Sequence, residues 1–316
     1  MPNAVANRAL IAFGKESSYG GALASTTGKR MRILSEGIVH TPSRQLSNQI
    51  EPDRNRVEVM DLGFSASGPI EAELSYTDWE AVLRSVLCAG SGTADTPSAG
   101  VTRFLNGTNI ESWYLEDNFT DVNVLKGIYG AVFNELTLTV EANKEVTLQL
   151  GVIAQKAIKV ASTRFTTAIS APAADPVMRS GVDVAQLRLG GNAIPAAVQR
   201  LTLTFRNNFA PRGEIGQGGP QEMLAHAFEV TGSMLPYFPS ASLYDDFVAG
   251  TAKGLDIKIG NTAGAFTIHL PAITTTTGTP VIPGQGQDVM PEMSFIAAKG
   301  LLDGVGCTAA IDVDPA

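Results

Sequence analysis

The sequence predicts a mainly β protein of two similar sandwich or barrel units, each flanked by one α-helix, and three observations carry that expectation. Residues 129–155, YGAVFNELTLTVEANKEVTLQLGVIAQ, alternate apolar and polar side chains on both sides of a short turn, the two-residue period of a strand. Gly 32 and Pro 17, with only 17% charged residues, suit many turns better than long helices. Finally, the order hairpin, tyrosine, helix, Ala-Gly occurs twice in 316 residues, a length that accommodates two domains.

Taken in order, residues 8–38 hold one short apolar run, Ala9 to Phe13, followed by a Gly/Ser/Thr-rich stretch, and are expected to be irregular chain docked on the core. Residues 40–56, HTPSRQLSNQIEPDRNR, are too polar for a core strand and read as a long projecting loop or arm, with Leu46 and Ile50 as apolar anchors. Residues 57–76 supply strands around a turn region at 63–68. The period then changes. Thr77 or Asp78 suits a helix N-cap, Trp79, Val82, Leu83, Val86 and Leu87 recur at helical spacing, and Ala89-Gly90 suits the stop. Residues 91–100 read as a loop and 112–116 as a strand.

The hairpin comes next. Leu136, Leu138 and Val140 alternate with Glu135, Thr137, Thr139 and Glu141; after Ala142-Asn143-Lys144, the residues Val146, Leu148 and Leu150 alternate with Glu145, Thr147 and Gln149. Successive strand side chains point to opposite sides, so one face is core and the other carries hydroxyls, an amide and carboxylates. Residues 166–181, with TAISAPAADP, are the one linker-like composition shift. Beyond it Leu201, Leu203 and Phe205 alternate with Arg200, Thr202 and Thr204, a Gly-rich turn spans 213–220, and 227–235 form a strand ending near Tyr237. A helix with Leu243, Tyr244, Phe247 and Val248 stops at Ala249-Gly250, and 266–270 with 293–298 complete the second unit. The expected division is a first domain at 1–165, a linker at 166–183 and a second domain at 184–316, as an internal duplication.

Charge and motifs argue against most chemistries. A formal charge of -8 with no basic run opposes phosphate-neutralising nucleic-acid binding. Two cysteines, Cys88 and Cys307, make no disulfide framework, and Cys88 in an apolar helical segment reads as a buried thiol. No window has the roughly 18 apolar residues of a membrane span, and the start holds no run of signal-peptide length. Gly14-Lys15 and Gly28-Lys29 lack the earlier glycine of a phosphate loop, since Ala9 and Leu23 stand there. The glycines at 216–219 and 284–286 read as turn residues. His40, His226 and His269 are isolated, His269 as a residue of a solvated strand face, and no G-x-S-x-G elbow occurs. Glu71 and Glu73 share a strand face about 7 Å apart, which reads as solvated surface. No catalytic residue, cofactor or metal site is expected.

SSYG near the start, TPSRQLSNQIEPDR, GPIEAELSYTDWEAVL, YGAVFNELTLTV, FEVTGSMLPYFPSASLYDDFVAG and FTIHLPAI, in that order, resemble the tail tube (major tail) proteins of long, non-contractile-tailed bacteriophages. The resemblance covers about residues 15–300. It implies duplicated tail-tube-type β-sandwich or barrel domains, rings stacked into a tube, and a lumen that passes double-stranded DNA without binding it, in a virion tail protein made in the host cytoplasm. It implies tape-measure and tail terminator proteins as partners besides the chain itself. Tube domains of the family are commonly half this length, so three chains per ring are favoured over six. The lumen-facing candidates are Glu71, Glu73, Glu135, Thr137, Thr139, Glu141, Glu145, Thr147 and Gln149, with Thr202, Thr204, Glu229, Thr231 and Ser233 from the second unit. Arg200 and Arg206 break a uniformly anionic wall and are expected to pair with carboxylates or to sit at a rim. Leu46, Ile50, Asp53 and Arg54 are the candidates for contact between rings. Two rival readings stand beside this one: a virion β-sandwich that binds or decorates without polymerising, and a carboxylate hydrolase using Glu71 and Glu73.

Overall fold

The computed structural model describes residues 5, 8–53, 55–90, 94–194, 196–237 and 242–315. It is mainly β, as expected. In chain order the elements are β1 (Ala9–Lys15), β2 (Thr27–Arg30), β3 (Ser35–Glu36), β4 (Val39–Leu46), β5 (Val59–Glu73), α1 (Tyr76–Val86), β6 (Ala94–Ser98), β7 (Val101–Leu105), β8 (Trp113–Phe119), β9 (Val124–Glu141), β10 (Thr147–Ala154), β11 (Lys156–Val160) and β12 (Ala168–Ser170). There follow α2 (Ser180–Asp183), β13 (Val184–Leu189), β14 (Asn192–Ala193), β15 (Val198–Arg206), β16 (Ala210–Arg212), β17 (Glu222–Leu224), β18 (Glu229–Pro236), α3 (Ser242–Ala249), β19 (Lys253–Asn261), β20 (Gly264–Thr275), β21 (Met293–Ala298), β22 (Gly300–Leu302), β23 (Val305–Cys307) and β24 (Ala310–Pro315).

One antiparallel series runs β4–β5–β10–β9–β15–β18–β21–β20. Two strands of this series bend into second layers. The first part of β9 pairs with β8 and β11, extending to β1 through β8, while the first part of β20 pairs with β19 and β24, extending to β13 through β19. The layers cross-link the chain: β7 pairs with the C-terminal β24, and β12 pairs in parallel with β2.

The alternation seen in the sequence becomes rows across the seven strands from β5 to β20. Ile70, Leu150, Leu136, Phe205, Val230, Ala297 and Ile273 lie opposite one another strand by strand, and all are buried. The adjoining row runs Ala72, Leu148, Leu138, Leu203, Gly232, Phe295. A Cβ at Gly232 would lie 2.4 Å from the Phe295 ring and 2.7 Å from the Thr202 carbonyl, so only glycine lets that ring lie flat on the strand. Helix α1 buries Trp79, Val82, Leu83 and Val86 on this core, and the Trp113 indole donates a 3.0 Å hydrogen bond to the Ser85 hydroxyl. Leu243 of α3 is buried and Phe247 packs beside it, as the helical spacing predicts.

Several expectations are corrected. Helix α1 caps at Ser75, not at Thr77 or Asp78; Asp78 is buried and holds Lys29 at 3.1 Å and Arg32 at 2.8 Å, tying residues 29–32 to the helix. The 63–68 region is no turn, because β5 runs through it unbroken. Residues 9–15 are regular strand, completed by pairing with the distant β8, which the short apolar run did not reveal. The projecting segment is a hairpin with β4 as one strand: its ladder to β5 continues to Leu46 opposite Val59 although neither face is buried. Residues 94–98, read as loop, form β6. Residues 266–270 pair with β19 and β24, while the pairing with β21 falls at 272–275. The linker-like stretch contains β12 and α2.

Candidate functional site

The face of this sheet opposite the core is predominantly polar. One row reads Ser35, Glu71, Gln149, Thr137, Thr204, Thr231, Ile296, Thr274, each opposite the next. The second reads Glu73, Thr147, Thr139, Thr202, Ser233, Ser294, and a shorter third joins Gly151, Glu135, Arg206 and Glu229. Thirteen of the fourteen candidates therefore share one surface, with Glu141 opposite Arg200 at its margin. Glu145 does not join it: the strand starts at Thr147, and Glu145 makes an isolated bridge to Arg179 instead.

Several side chains on this face pair with one another. The Thr137 and Thr204 hydroxyls lie 3.2 Å apart across the β9–β15 junction, and the Glu71 carboxylate accepts from the Ser35 hydroxyl at 3.1 Å and from the Gln149 amide at 3.4 Å. The two arginines pair with carboxylates, Arg206 with Glu135 at 3.0 Å and Arg200 with Glu292 at 3.4 Å. Each cation is thus neutralised by a neighbour. The face offers hydroxyls, amides and carboxylates, with no aromatic platform in the rows above on which a base could stack.

The arm projects from one end of this sheet. Ile50 is 99% exposed, and Leu46, Val57, Val59 and Leu62 are exposed around it. Asp53 is exposed too, and Arg54 lies outside the described residues. The arm's base is braced: the Phe64 amide donates 2.7 Å to the Gly218 carbonyl, and the Phe64 ring meets His40 with centroids 5.3 Å apart.

The strongest electrostatics lie elsewhere. His269, expected on an open face, sits between Asp256 at 2.7 Å and Asp312 at 3.2 Å, and Arg103 of β7 grips Asp312 through two nitrogens at 2.6 and 2.8 Å and also pairs with Asp303. Burial alone would lower the His269 pKa, but the two carboxylates outweigh it and push it up to about 9. A second cluster joins Lys126 to Glu36 and Asp117, each at 3.0 Å; burial and the Glu36 charge push the Asp117 carboxyl up to about 6. The spacing of single histidines and acids in the sequence carried no signal for either cluster, because the partners are brought together by strand register. Among the described residues no group of three or more His, Cys, Asp or Glu is placed to hold a metal ion, and no helix is long and apolar enough to cross a membrane.

A family model described as phage tail tube protein matches residues 6–297, nearly the whole chain. No curated protein matches the chain.

Proposed function

The chain belongs to the phage tail tube protein family, and from that premise we propose that it is the structural subunit of a tail tube whose stacked rings enclose the conduit for genome ejection. The observation that carries this reading is the predominantly polar face that runs across the seven strands from β5 to β20. A wall of hydroxyls and carboxylates whose arginines are already paired repels or ignores phosphates, which is what a duct for DNA requires.

We further propose an internal duplication, supported by pairing order. The series β4–β5–β10–β9 is followed by β15–β18–β21–β20, with α1 after β5 and α3 after β18, and β9 and β20 each bend into a second layer. The repeat joins itself through β9–β15 inside one chain. Repeating that junction between chains closes a barrel and uses up the free edges. Strands about 4.8 Å apart and tilted about 40° close at a backbone diameter of roughly 48 Å for 24 strands and roughly 95 Å for 48. Both halves share one sheet, so three chains supply the narrower ring and six the wider, which supports three. The arm, with Leu46, Ile50 and Asp53, is the contact offered to the next ring. Tape-measure and terminator proteins are the expected partners of such a tube.

Electron microscopy of concentrated purified protein tests the reading. Hollow tubes with three chains per ring are expected. Discrete particles that never polymerise would favour a binding or decoration module, and six chains per ring would refute the stoichiometry.

A further inference from the structure

Two cavities occupy corresponding places in the two halves of the chain. The smaller, about 180 Å³, lies at the β9–β15 junction. It is lined by Leu187 and Ile257, which face one another across β13 and β19, and it is entered by Val140, Ala142 and Asn143 from the end of β9 and its turn. The Ala142 amide donates a 2.8 Å hydrogen bond to the Gln199 carbonyl there. The larger, about 550 Å³, is lined by Ile11 and Asp117, which face one another across β1 and β8, together with Met31, Leu34 and Phe119. Its lining contains no residue from a strand end equivalent to Val140–Asn143.

In the duplication proposed above, the equivalent of the 142–146 turn is the connection between β20 and β21, residues 276–292. That connection carries Val281 at 73% and Ile282 at 91% exposure, between Pro280 and Pro283. Such apolar side chains are costly to leave in water, and the flanking prolines reduce the entropy lost when the segment docks. At the polar side of the larger cavity Asp117, with a side chain only 2% exposed, is held by Lys126 at 3.0 Å.

We propose that residues 276–292 of a second copy dock into this cavity, setting Val281 and Ile282 against Ile11, Met31, Leu34 and Phe119. The occupant is a second copy because the chain's own loop starts at the opposite edge of the sheet. Six strand spacings separate β5, whose Glu73 lines the cavity, from β20, about 29 Å, whereas Val281 is only six residues beyond β20 and reaches about 20 Å when extended. This inference rests on the tube reading and names the contact that joins neighbours within a ring.

The test uses full-length protein. Leu34→Cys and Ile282→Cys are made as separate variants and mixed, since both native cysteines are buried. Oxidation of the mixed tubes is expected to give covalent dimers at least tenfold above either variant alone. In parallel, Ile282→Asp is expected to fold with unchanged circular dichroism but to raise the concentration needed for polymerisation at least tenfold. Mixed tubes without dimers, or normal polymerisation of Ile282→Asp, would overturn the docking while leaving the tube reading intact. If the cysteine variants do not polymerise, Ile282→Asp alone decides. A wild-type protein that never polymerises would overturn the tube reading, and this contact with it.

Discussion

Replacement of His269 by Gln removes a charge clamp that ties β19 and β20 to β24 and, through Asp312, to β7. The imidazole lies between Asp256 and Asp312, and Asp312 is gripped in turn by Arg103 of β7, a strand more than 200 residues away in sequence. A pKa raised from 6.5 to about 9 couples folding to protonation. At about 1.4 kcal/mol per unit the linkage is at most about 3 kcal/mol, and about 2 after allowance for partial solvation. Because the folded pKa lies above the unfolded one, the contribution is complete below pH 6.5 and is lost as pH rises through 9. Urea unfolding followed by fluorescence of the buried Trp79 and Trp113, below the polymerising concentration and at fixed ionic strength, measures it. Wild-type protein is expected to lose about 2 kcal/mol between pH 6 and pH 9.5. His269→Gln is expected to be weaker than wild type at pH 6, to show a shallower profile over that window, and to approach wild type at its upper end. Parallel profiles for the two proteins would refute the clamp.

Leu138→Ala, in the centre of a buried row, is expected to cost about 2–5 kcal/mol, read from the urea midpoint. Gly232→Ala forces a methyl against the Phe295 ring and the Thr202 carbonyl and is expected to cost about 1–3 kcal/mol; an unchanged midpoint would show that the strands separate freely. Deleting residues 48–53 at the exposed tip of the arm is expected to leave the melting temperature within a few degrees of wild type while stopping elongation at single rings in sedimentation. Glu71→Lys combined with Glu141→Lys puts unpaired cations on the polar face, and is expected to permit assembly but slow genome ejection most at low salt. Equal ejection rates at low and high salt would show that these positions do not meet DNA.

What the sequence made legible was whatever depends on local period. The hairpin of β9 and β10, its core residues Leu136, Leu138, Leu148 and Leu150, the partner strand with Leu201, Leu203 and Phe205, and both flanking helices follow from alternation of two or recurrence near 3.6. The polar face was legible for the same reason, since it is the other phase of the same alternation. Elements whose identity comes from distant partners were not. Strand β1 becomes a strand by pairing with β8, and β7 by pairing with β24, so neither carries a long periodic signal. The hairpin arm pairs without burying either face, and an unburied ladder leaves no hydrophobic pattern. Glu145 shows the limit within a legible region: alternation extends to it, yet it bridges to Arg179 two residues before the strand begins.

The two phases of that alternation also explain why the halves differ where they meet the proposed lumen. The core phase is constrained by packing in both halves, and its rows stay aliphatic or aromatic from Ile70 through Ile273. In the proposed tube the polar phase is constrained only by what passes over it. In the first half it carries Glu71, Glu73 and Gln149; in the second it carries Thr204, Thr231 and an exposed Ile296. A surface selected to hold a ligand would repeat a donor or a stacking group at a fixed spacing. One selected to hold nothing needs only to lack unpaired cations, and hydroxyl, amide, carboxylate and even isoleucine all meet that condition. The pairing of Arg206 with Glu135 and of Arg200 with Glu292 is the same rule applied to the two residues that would otherwise break it.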